Sequence, residues 1–264
     1  MDKDQVLEEF DRKFRRCSTH TKRNYRLSIG RWLSWLNGRD PSQQAAQEYL
    51  DYLIEAGRAP NSITATANAL RKFAVVVLNT AYRLEAPSIS FGTPKYLEVE
   101  QVNQLLNATI SVMDRCLVGL LFDTGARISE ILNLKVEDIN WEQGFLRVTR
   151  KGGDQSDVVM TEKGKSLLQQ WMKKRKPTNH PRVFLSYTYW EVRKRLMAVA
   201  KRAGISNFTI HRLRHSRAVQ LRLAGYDINI VQQIMGHKSV ATTVNIYGRF
   251  KPEELRKKLE AAPW

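Results

Sequence analysis

Apolar residues at helical spacing occupy most of this chain, and one short segment separates them into two parts. The segment 85–95 reads EAPSISFGTPK, with two prolines, one glycine and no helical period. Such a composition is typical of an extended linker. A chain of 264 residues can hold two small domains. The sequence therefore predicts a domain over residues 1–88, a linker over 89–95 and a second domain over 96–264.

The first domain is predicted to be a bundle of helices. Thr19 or Ser18 can cap a helix that runs toward Gly38, Pro41–Ser42 opens a second helix, and Asn61 is expected to cap a third. A shorter apolar pattern near the N-terminus supplies the fourth. The basic residues of this first domain lie mostly away from the apolar stripes of its helices, so they form either a solvated face or a surface that follows a phosphate backbone.

The second domain is predicted to be mixed. Two short strands over 145–150 and 157–160 flank a turn at 152–154, which indicates a hairpin. The remaining patterns have helical period, and Gly125 interrupts one of them. The fold class is therefore mainly α with a small β-hairpin, an α+β fold. Helices are predicted over 98–108, 113–124, 128–134, 162–174, 189–203, 210–223, 228–235, 240–246 and 252–261.

The charge of the chain indicates a polyanionic partner. Lys and Arg number 43 against 26 Asp and Glu, which gives a formal net charge of +17. Residues 93–264 hold 29 of those basic and 16 of those acidic residues, so most of the excess lies in the second domain. Nucleic acid is the usual partner of such a protein. Charge alone does not separate DNA from RNA, or binding from catalysis.

Several classes of function have no motif in this sequence. It has no phosphate-binding G-x-x-x-x-G-K-[ST] loop, no G-x-G-x-x-G and no Cys/His cluster with zinc spacing, so we expect neither a cofactor nor a metal. Cys17 and Cys116 show no partner pattern and are expected to be free thiols in a reducing compartment. The longest strongly apolar run, 116–122, is too short to cross a bilayer. We therefore expect a cytoplasmic, nucleoid-associated protein with no membrane partner.

One basic stretch suggests a binding site for an anion. His211, Arg214 and His215 recur at helical spacing with polar groups that can converge. An arginine buried beside histidines needs an anion, and a phosphate satisfies its guanidinium with two hydrogen bonds. The alternative is a solvated basic face. A metal held by the two histidines is disfavoured, because Arg214 between them would repel a cation.

Two further segments favour a site. One is DTGARISE, which places Arg127 at the start of a helix directly after a buried one. The other is MGHKS, in which His237 is followed ten positions later by Tyr247. In this order the motifs resemble the signature of the tyrosine recombinases, and most closely the Xer-like and mobile-element integrase branch. The residues that carry the resemblance are Thr124, Gly125, Ala126, Arg127, Ile128, Ser129, Glu130, His211, Arg214, His215, Gly236, His237 and Tyr247.

The resemblance implies a core-binding helical domain followed by a catalytic domain, and it assigns a role to each matching residue. Tyr247 is implied to attack a DNA phosphodiester and form a 3′-phosphotyrosine, which conserves the bond energy without a cofactor. The remaining roles are those of phosphate ligands and of groups that transfer protons. The implied phosphate ligands are Arg127, Arg214 and His237, His211 is implied to manage the Tyr247 proton, and Lys151 is implied to protonate the leaving 5′-oxygen.

Two of these assignments have alternatives. Lys151 lies in the hairpin turn, but Arg150 and Lys163 are weaker candidates for the same proton donor. Glu130 stands one helical turn after Arg127, where the family role would be to orient the basic residues, although it can also be an ordinary surface residue. Arg217 stands where relatives commonly carry an aromatic side chain.

The resemblance also implies partners. These are a double-stranded DNA recombination site, other protomers that form a four-protomer synapse through the C-terminal tail, and accessory DNA-binding proteins. The implied reaction is integration, excision or dimer resolution through a four-way junction. The rival functions are a type IB topoisomerase, a telomere resolvase and a non-catalytic DNA-binding factor. The last would explain a helix-turn-helix pattern near 225–240, but it gives no reason for Tyr247, Arg127 and Arg214 to occur together.

Overall fold

The computed structural model describes residues 2–15, 17–88, 96–150, 153–175 and 178–236. The chain divides into two compact units, Met1–Ser90 and Phe91–Trp264, each with its own hydrophobic core. The segment 89–95 and the helices predicted over 240–246 and 252–261 lie outside the described residues. In the part of the chain that is described, no helix is both long and apolar enough to cross a membrane.

Within its described residues the first unit contains four helices, as the sequence predicts. Ser18 and Ser42 cap the second and third of them: each hydroxyl accepts a hydrogen bond from a backbone N–H three residues later, at 3.1 Å. These bonds satisfy one of the N–H groups that a helix start leaves without a partner. The helices are α1 (Lys3–Lys13), α2 (Thr19–Leu36), α3 (Gln43–Glu55) and α4 (Pro60–Val77).

The prediction that Asn61 is the N-cap of α4 is wrong. The helix begins at Pro60, with Ala59 as its N-cap and no side-chain capping bond. Proline suits the first position of a helix, because its φ angle is fixed near the helical value and its missing N–H would have no partner there. The ring of Pro60 therefore decides the start, one residue before the predicted cap.

The core of the first unit is aromatic at its centre. Trp32 and Phe73 are fully buried and meet edge to face, with ring centroids 5.5 Å apart. Phe10 also packs against Phe73, with ring centroids 6.5 Å apart. The three rings come from α1, α2 and α4, so their contact joins these helices.

The second unit is helical with a three-stranded antiparallel sheet, which confirms the predicted fold class. The predicted bounds of most elements hold to within two residues. The elements are α5 (Val99–Asn107), α6 (Val112–Thr124), α7 (Ile128–Asn133), β1 (Ile139–Asn140), β2 (Phe145–Thr149), β3 (Gln155–Val159), α8 (Glu162–Lys174), α9 (Tyr189–Arg202), α10 (Ile210–Leu223) and α11 (Ile228–Met235).

The sheet has order β1-β2-β3 and one strand more than the sequence predicts. The β2–β3 hairpin pairs Phe145 with Val159 at one end and Thr149 with Gln155 at the other. The additional strand, β1, has two residues and pairs Ile139 with Leu146. Two residues are too few to show a strand period, so the sequence could not predict it.

Helix α6 is the centre of the second unit and positions the candidate site. Nine of its 13 residues are buried, in agreement with its apolar sequence. Gly119 permits the close contact with α8, because a Cβ at this position would overlap the side chain of Leu167. Helices α10 and α11 bury Leu221, Val231 and Met235 between them. The turn after α6 lies against α10 and the end of α11, since Gly125 is next to Arg214 and Met235.

Candidate active site

The turn between α6 and α7 places Arg127 at a helix start. Gly125 ends α6 with a φ of +63°, a left-handed conformation that glycine adopts without strain. The buried hydroxyl of Thr124 donates to the carbonyl of Leu120 at 2.7 Å and accepts from the N–H of Ala126 at 3.1 Å. The turn is therefore fixed on both sides, and Arg127 becomes the N-cap of α7.

Glu130 is a buried carboxylate that holds Arg127 in place. Only 3% of the residue is exposed. One carboxylate oxygen accepts the backbone N–H of Arg127 at 2.8 Å, and the other accepts Nη1 of the same arginine at 2.8 Å. The Arg127 side chain remains 39% exposed. Glu130 therefore orients Arg127 while part of the guanidinium stays open to a ligand, so the surface-residue alternative does not describe its environment.

Arg214 is buried at the same turn. Its exposure is 2%, and its guanidinium donates to the carbonyl oxygens of Gly125 and, at 2.6 Å, of Met235. These bonds join α10 to the α6–α7 turn and to the end of α11. Arg127 follows Gly125 by two residues, so the two arginines predicted to hold a phosphate are attached to one turn although 87 positions separate them in sequence.

His211 and His215 lie one helical turn apart on α10, and their rings meet edge to face with centroids 4.5 Å apart. Desolvation, together with the positive charges of Arg214 and Arg127, lowers the pKa of His211, although the residue keeps an exposed surface. Desolvation, His211 and Arg214 lower the pKa of His215 to about 4. His215 is therefore neutral at pH 7, and the lowered pKa of His211 favours its neutral form, in which one ring nitrogen can accept a proton.

The structure also places Arg150 at this cluster, which the sequence considered only as an alternative proton donor. Its side chain is 9% exposed and lies 3.6 Å from the Glu130 carboxylate. Both terminal nitrogens of its guanidinium donate to protein oxygens, among them the carbonyl groups of Met235 and Gly236. Lys163, the other alternative, lies exposed in the first turn of α8.

The described part of the site thus brings Arg127, Glu130, His211 and Arg214 together. The other predicted members, Lys151, His237 and Tyr247, lie outside the described residues, as does the tail. The guanidinium groups of Arg127 and Arg150 lie against one buried carboxylate, that of Glu130, and Arg214 bonds to the adjacent turn, which leaves a positive excess. Such a cluster can bind a phosphate and stabilise negative charge that develops on its oxygens.

Glu130 provides a test of this geometry. Replacing Glu130 by glutamine is expected to lower the free energy of unfolding by about 3 kcal/mol, because an uncharged amide would replace the buried carboxylate that accepts two N–H groups of Arg127 and lies beside the Arg150 guanidinium. Urea titration followed by circular dichroism measures the change. The matched control is Glu137→Gln, an exposed carboxylate paired with Lys135, for which we expect less than about 0.5 kcal/mol. Equal losses in the two variants would contradict the role assigned to Glu130.

The chain is similar to known proteins in both sequence and structure. The sequence profile of the phage integrase family matches residues 95–254. Tyrosine recombinase XerA of Pyrococcus furiosus is 33% identical over 98% of this chain and 94% of its own length. Tyrosine recombinase XerD of Haemophilus influenzae is 27% identical over 91% and 90%. The crystal structure of the XerH site-specific recombinase in its post-cleavage complex with difH DNA superposes with a TM-score of 0.79 at 20% identity, covering 98% of this chain and 84% of that one.

Proposed function

The chain belongs to the phage integrase family of tyrosine recombinases, and we propose that it cuts and rejoins duplex DNA at specific recombination sites. The observation that carries the proposal is the attachment of Arg127 and Arg214 to the single turn at Gly125. A DNA-binding factor has no need of a preorganised pair of arginines fixed to one turn, because surface lysines and arginines supply affinity for the DNA backbone. A catalyst of phosphoryl transfer does need such a pair of fixed arginines, because they stabilise the negative charge that develops on the phosphate oxygens.

In the proposed mechanism the phosphate is held before it is attacked. Arg127 and Arg214 bind the non-bridging oxygens of the scissile phosphate, and His237 donates a further hydrogen bond to them. The negative charge on these oxygens increases in the transition state, so donors that are already fixed stabilise it without rearrangement. Glu130 keeps Arg127 in its orientation. The Arg–Glu bonds described above support this part of the proposal.

Tyr247 is the proposed nucleophile. Its phenolic oxygen forms a bond to phosphorus, and the bond between phosphorus and the 5′-oxygen breaks. His211 takes the phenolic proton, and Lys151 gives a proton to the leaving 5′-oxygen, whose electron pair would otherwise remain as an alkoxide. The 3′-phosphotyrosine that results is later attacked by a 5′-hydroxyl of the partner strand, which restores the backbone and frees the tyrosine.

The proposed partner is duplex DNA that carries a recombination site, since the XerH structure contains its difH substrate. We propose that residues 1–88 form the core-binding domain, that 89–95 is the linker and that 96–264 is the catalytic domain. Four protomers, with accessory DNA-binding proteins where the system uses them, would assemble on two sites and exchange strands through a four-way junction. Such a protein would act on DNA in the cytoplasm, at the nucleoid.

A recombination assay on a selected site tests the function. The bound sequence is first obtained by selection from random duplex DNA, and two direct copies are placed in a supercoiled plasmid. We expect deletion of the intervening DNA and no deletion from plasmids with one copy. A type IB topoisomerase would instead relax plasmids that lack the site, and a DNA-binding factor would leave plasmid topology and sequence unchanged. Either result would contradict the proposal.

The C-terminal tail is expected to join protomers. An amphipathic pattern with Phe250, Leu255 and Leu259 follows Tyr247, and an exposed apolar stripe needs a partner. Deletion of residues 252–264 is expected to lower synapse formation by about tenfold or more while binding to a single site changes little, because linked contacts raise the avidity of assembly. Gel mobility of one-site and two-site complexes measures both.

The control for the tail changes its charge but not its apolar stripe. The double variant Lys257→Ala and Lys258→Ala is expected to form synapses at nearly the wild-type yield at matched occupancy of the DNA. Unchanged recombination by the truncated protein would contradict the proposed role of the tail.

A further inference from the structure

Arg150 lies at the junction of three segments that carry proposed catalytic groups. It directly follows β2 and closes the hairpin: its backbone N–H donates to the carbonyl of Asp154 at 2.7 Å, and its own carbonyl accepts from Gly153 at 3.0 Å. Lys151 is the next residue in the sequence. The backbone beside the proposed proton donor is therefore fixed by the side chain and the main chain of one residue.

The guanidinium of Arg150 joins the hairpin to the end of α11. Nη2 donates to the hydroxyl of Ser156 on β3 at 3.1 Å, and Nη1 donates to the carbonyl oxygens of Met235 and Gly236 at 3.3 and 3.2 Å. The last carbonyl groups of a helix lack partners and carry partial negative charge, so a cation is favourable there. Gly236 precedes His237 directly.

Gly236 is shaped for this contact. It ends α11 with a φ of +59°, and a Cβ at this position would overlap the Arg150 guanidinium. The same guanidinium lies 3.6 Å from the Glu130 carboxylate that orients Arg127. At 9% side-chain exposure, and with both terminal nitrogens donating to protein oxygens, Arg150 is not one of the surface cations that bind the DNA backbone. Arginine is also a poor proton donor at neutral pH, because its pKa lies far above 7.

We infer that Arg150 is a positioning residue, which fixes the start of the hairpin turn against Glu130 and the α11 end so that Lys151 meets the leaving 5′-oxygen. This inference rests on the proposed function. It differs from the alternative in which Arg150 itself gives the proton, and from a purely structural role in which its loss would slow every step alike.

A change of the leaving atom separates these roles. Two duplex substrates are prepared from the selected site, identical except that the bridging 5′-oxygen of the scissile phosphate is replaced by sulfur in one. A thiolate is a stable leaving group at neutral pH, since thiol pKa values lie near 8.5, so the sulfur substrate does not need a proton donor. Cleavage is measured in a single turnover with saturating protein, and binding of the uncleaved duplex is measured separately.

Arg150→Ala is expected to cleave the oxygen substrate about 10- to 100-fold more slowly than the wild type, with a Kd for duplex DNA within about twofold. On the sulfur substrate its rate is expected to return to within about threefold of the wild type. Lys151→Ala should show the same pattern with a larger loss. The matched control is Arg147→Ala, an exposed arginine on the same strand that pairs with Asp157, which should cleave both substrates at nearly the wild-type rate.

Arg150→Lys keeps the charge without the two-nitrogen fork, and it is expected to show a smaller loss on oxygen and the same recovery on sulfur. If circular dichroism shows that Arg150→Ala does not fold, Arg150→Lys replaces it, and recovery of the cleavage rate on the sulfur substrate is again the criterion. An equal deficit on both substrates would overturn the inference. Recovery of the Arg150 variants without recovery of Lys151→Ala would make Arg150 the donor, which also overturns it.

Failure of the proposed function gives a different result. The wild-type protein would then form no covalent product with either substrate. Another outcome is that the wild type cleaves while neither Lys151→Ala nor the Arg150 variants regain their cleavage rate on the sulfur substrate. In that case Lys151 is not the proton donor, and the positioning role of Arg150 is rejected as well. Recovery of Lys151→Ala alone would leave the proposed function standing and reject only the role of Arg150.

Discussion

Replacing Arg214 by alanine is expected to slow DNA cleavage by about a thousandfold at saturating protein. The residue does two things at once. It is proposed to hold the scissile phosphate, and it donates to the carbonyl oxygens of Gly125 and Met235 from a position that is almost completely buried. Its loss removes a charged donor from the transition state and leaves two buried carbonyl groups without this partner.

The cleavage rate is measured in a single turnover on the selected site with saturating protein, so that weaker DNA binding does not change the measured rate. Arg214→Lys keeps a positive charge but cannot reproduce the planar fork, and we expect about a hundredfold loss. The matched control is Arg222→Ala in the last turn of the same helix, whose guanidinium donates to the carbonyl of Tyr226 at 3.1 Å, and which should cleave within about threefold of the wild type. Cleavage by a folded Arg214→Ala protein within tenfold of the wild type would contradict the assigned role.

Local signals in the sequence predict the helices of this fold well. Ser18 and Ser42 start helices because their hydroxyls bond to N–H groups only three residues away, and such a contact is encoded within one turn. The error at Asn61 has an equally local cause in Pro60. The two-residue strand β1 exists because it pairs with β2, and a pairing partner leaves no period in so short a segment.

The site depends on contacts over long distances in the sequence, and spacing alone does not predict them. Arg214 reaches Gly125 across 89 positions, and Arg150 reaches Met235 across 85. The family resemblance indicated that Arg214 lies near the turn at Gly125, because its motifs place Arg127 and Arg214 in one site. It named Arg150 only as an alternative proton donor and did not predict its contacts with α11, Ser156 and Glu130. The one sequence feature that relates to Arg150 is Gly236, a glycine directly before a motif histidine. The structure explains this glycine, because a Cβ there would overlap the Arg150 guanidinium.

Tyr247→Phe is expected to abolish covalent attachment to DNA, with a loss of at least about a thousandfold in adduct yield. Phenylalanine keeps the ring and its packing but has no oxygen to attack phosphorus, so binding of the site should be almost unchanged. The matched control is Tyr226→Phe, an exposed tyrosine in the turn between α10 and α11, which should form the adduct as the wild type does.

The most direct measurement uses a suicide duplex, which carries the selected site with a nick close to the cut position. After cleavage the short fragment diffuses away, and the covalent product accumulates because rejoining has lost its 5′-hydroxyl. The account predicts an SDS-resistant protein–DNA complex with the wild type and with Tyr226→Phe, and none with Tyr247→Phe. Formation of that complex by Tyr247→Phe at the wild-type yield would contradict the assignment of the nucleophile.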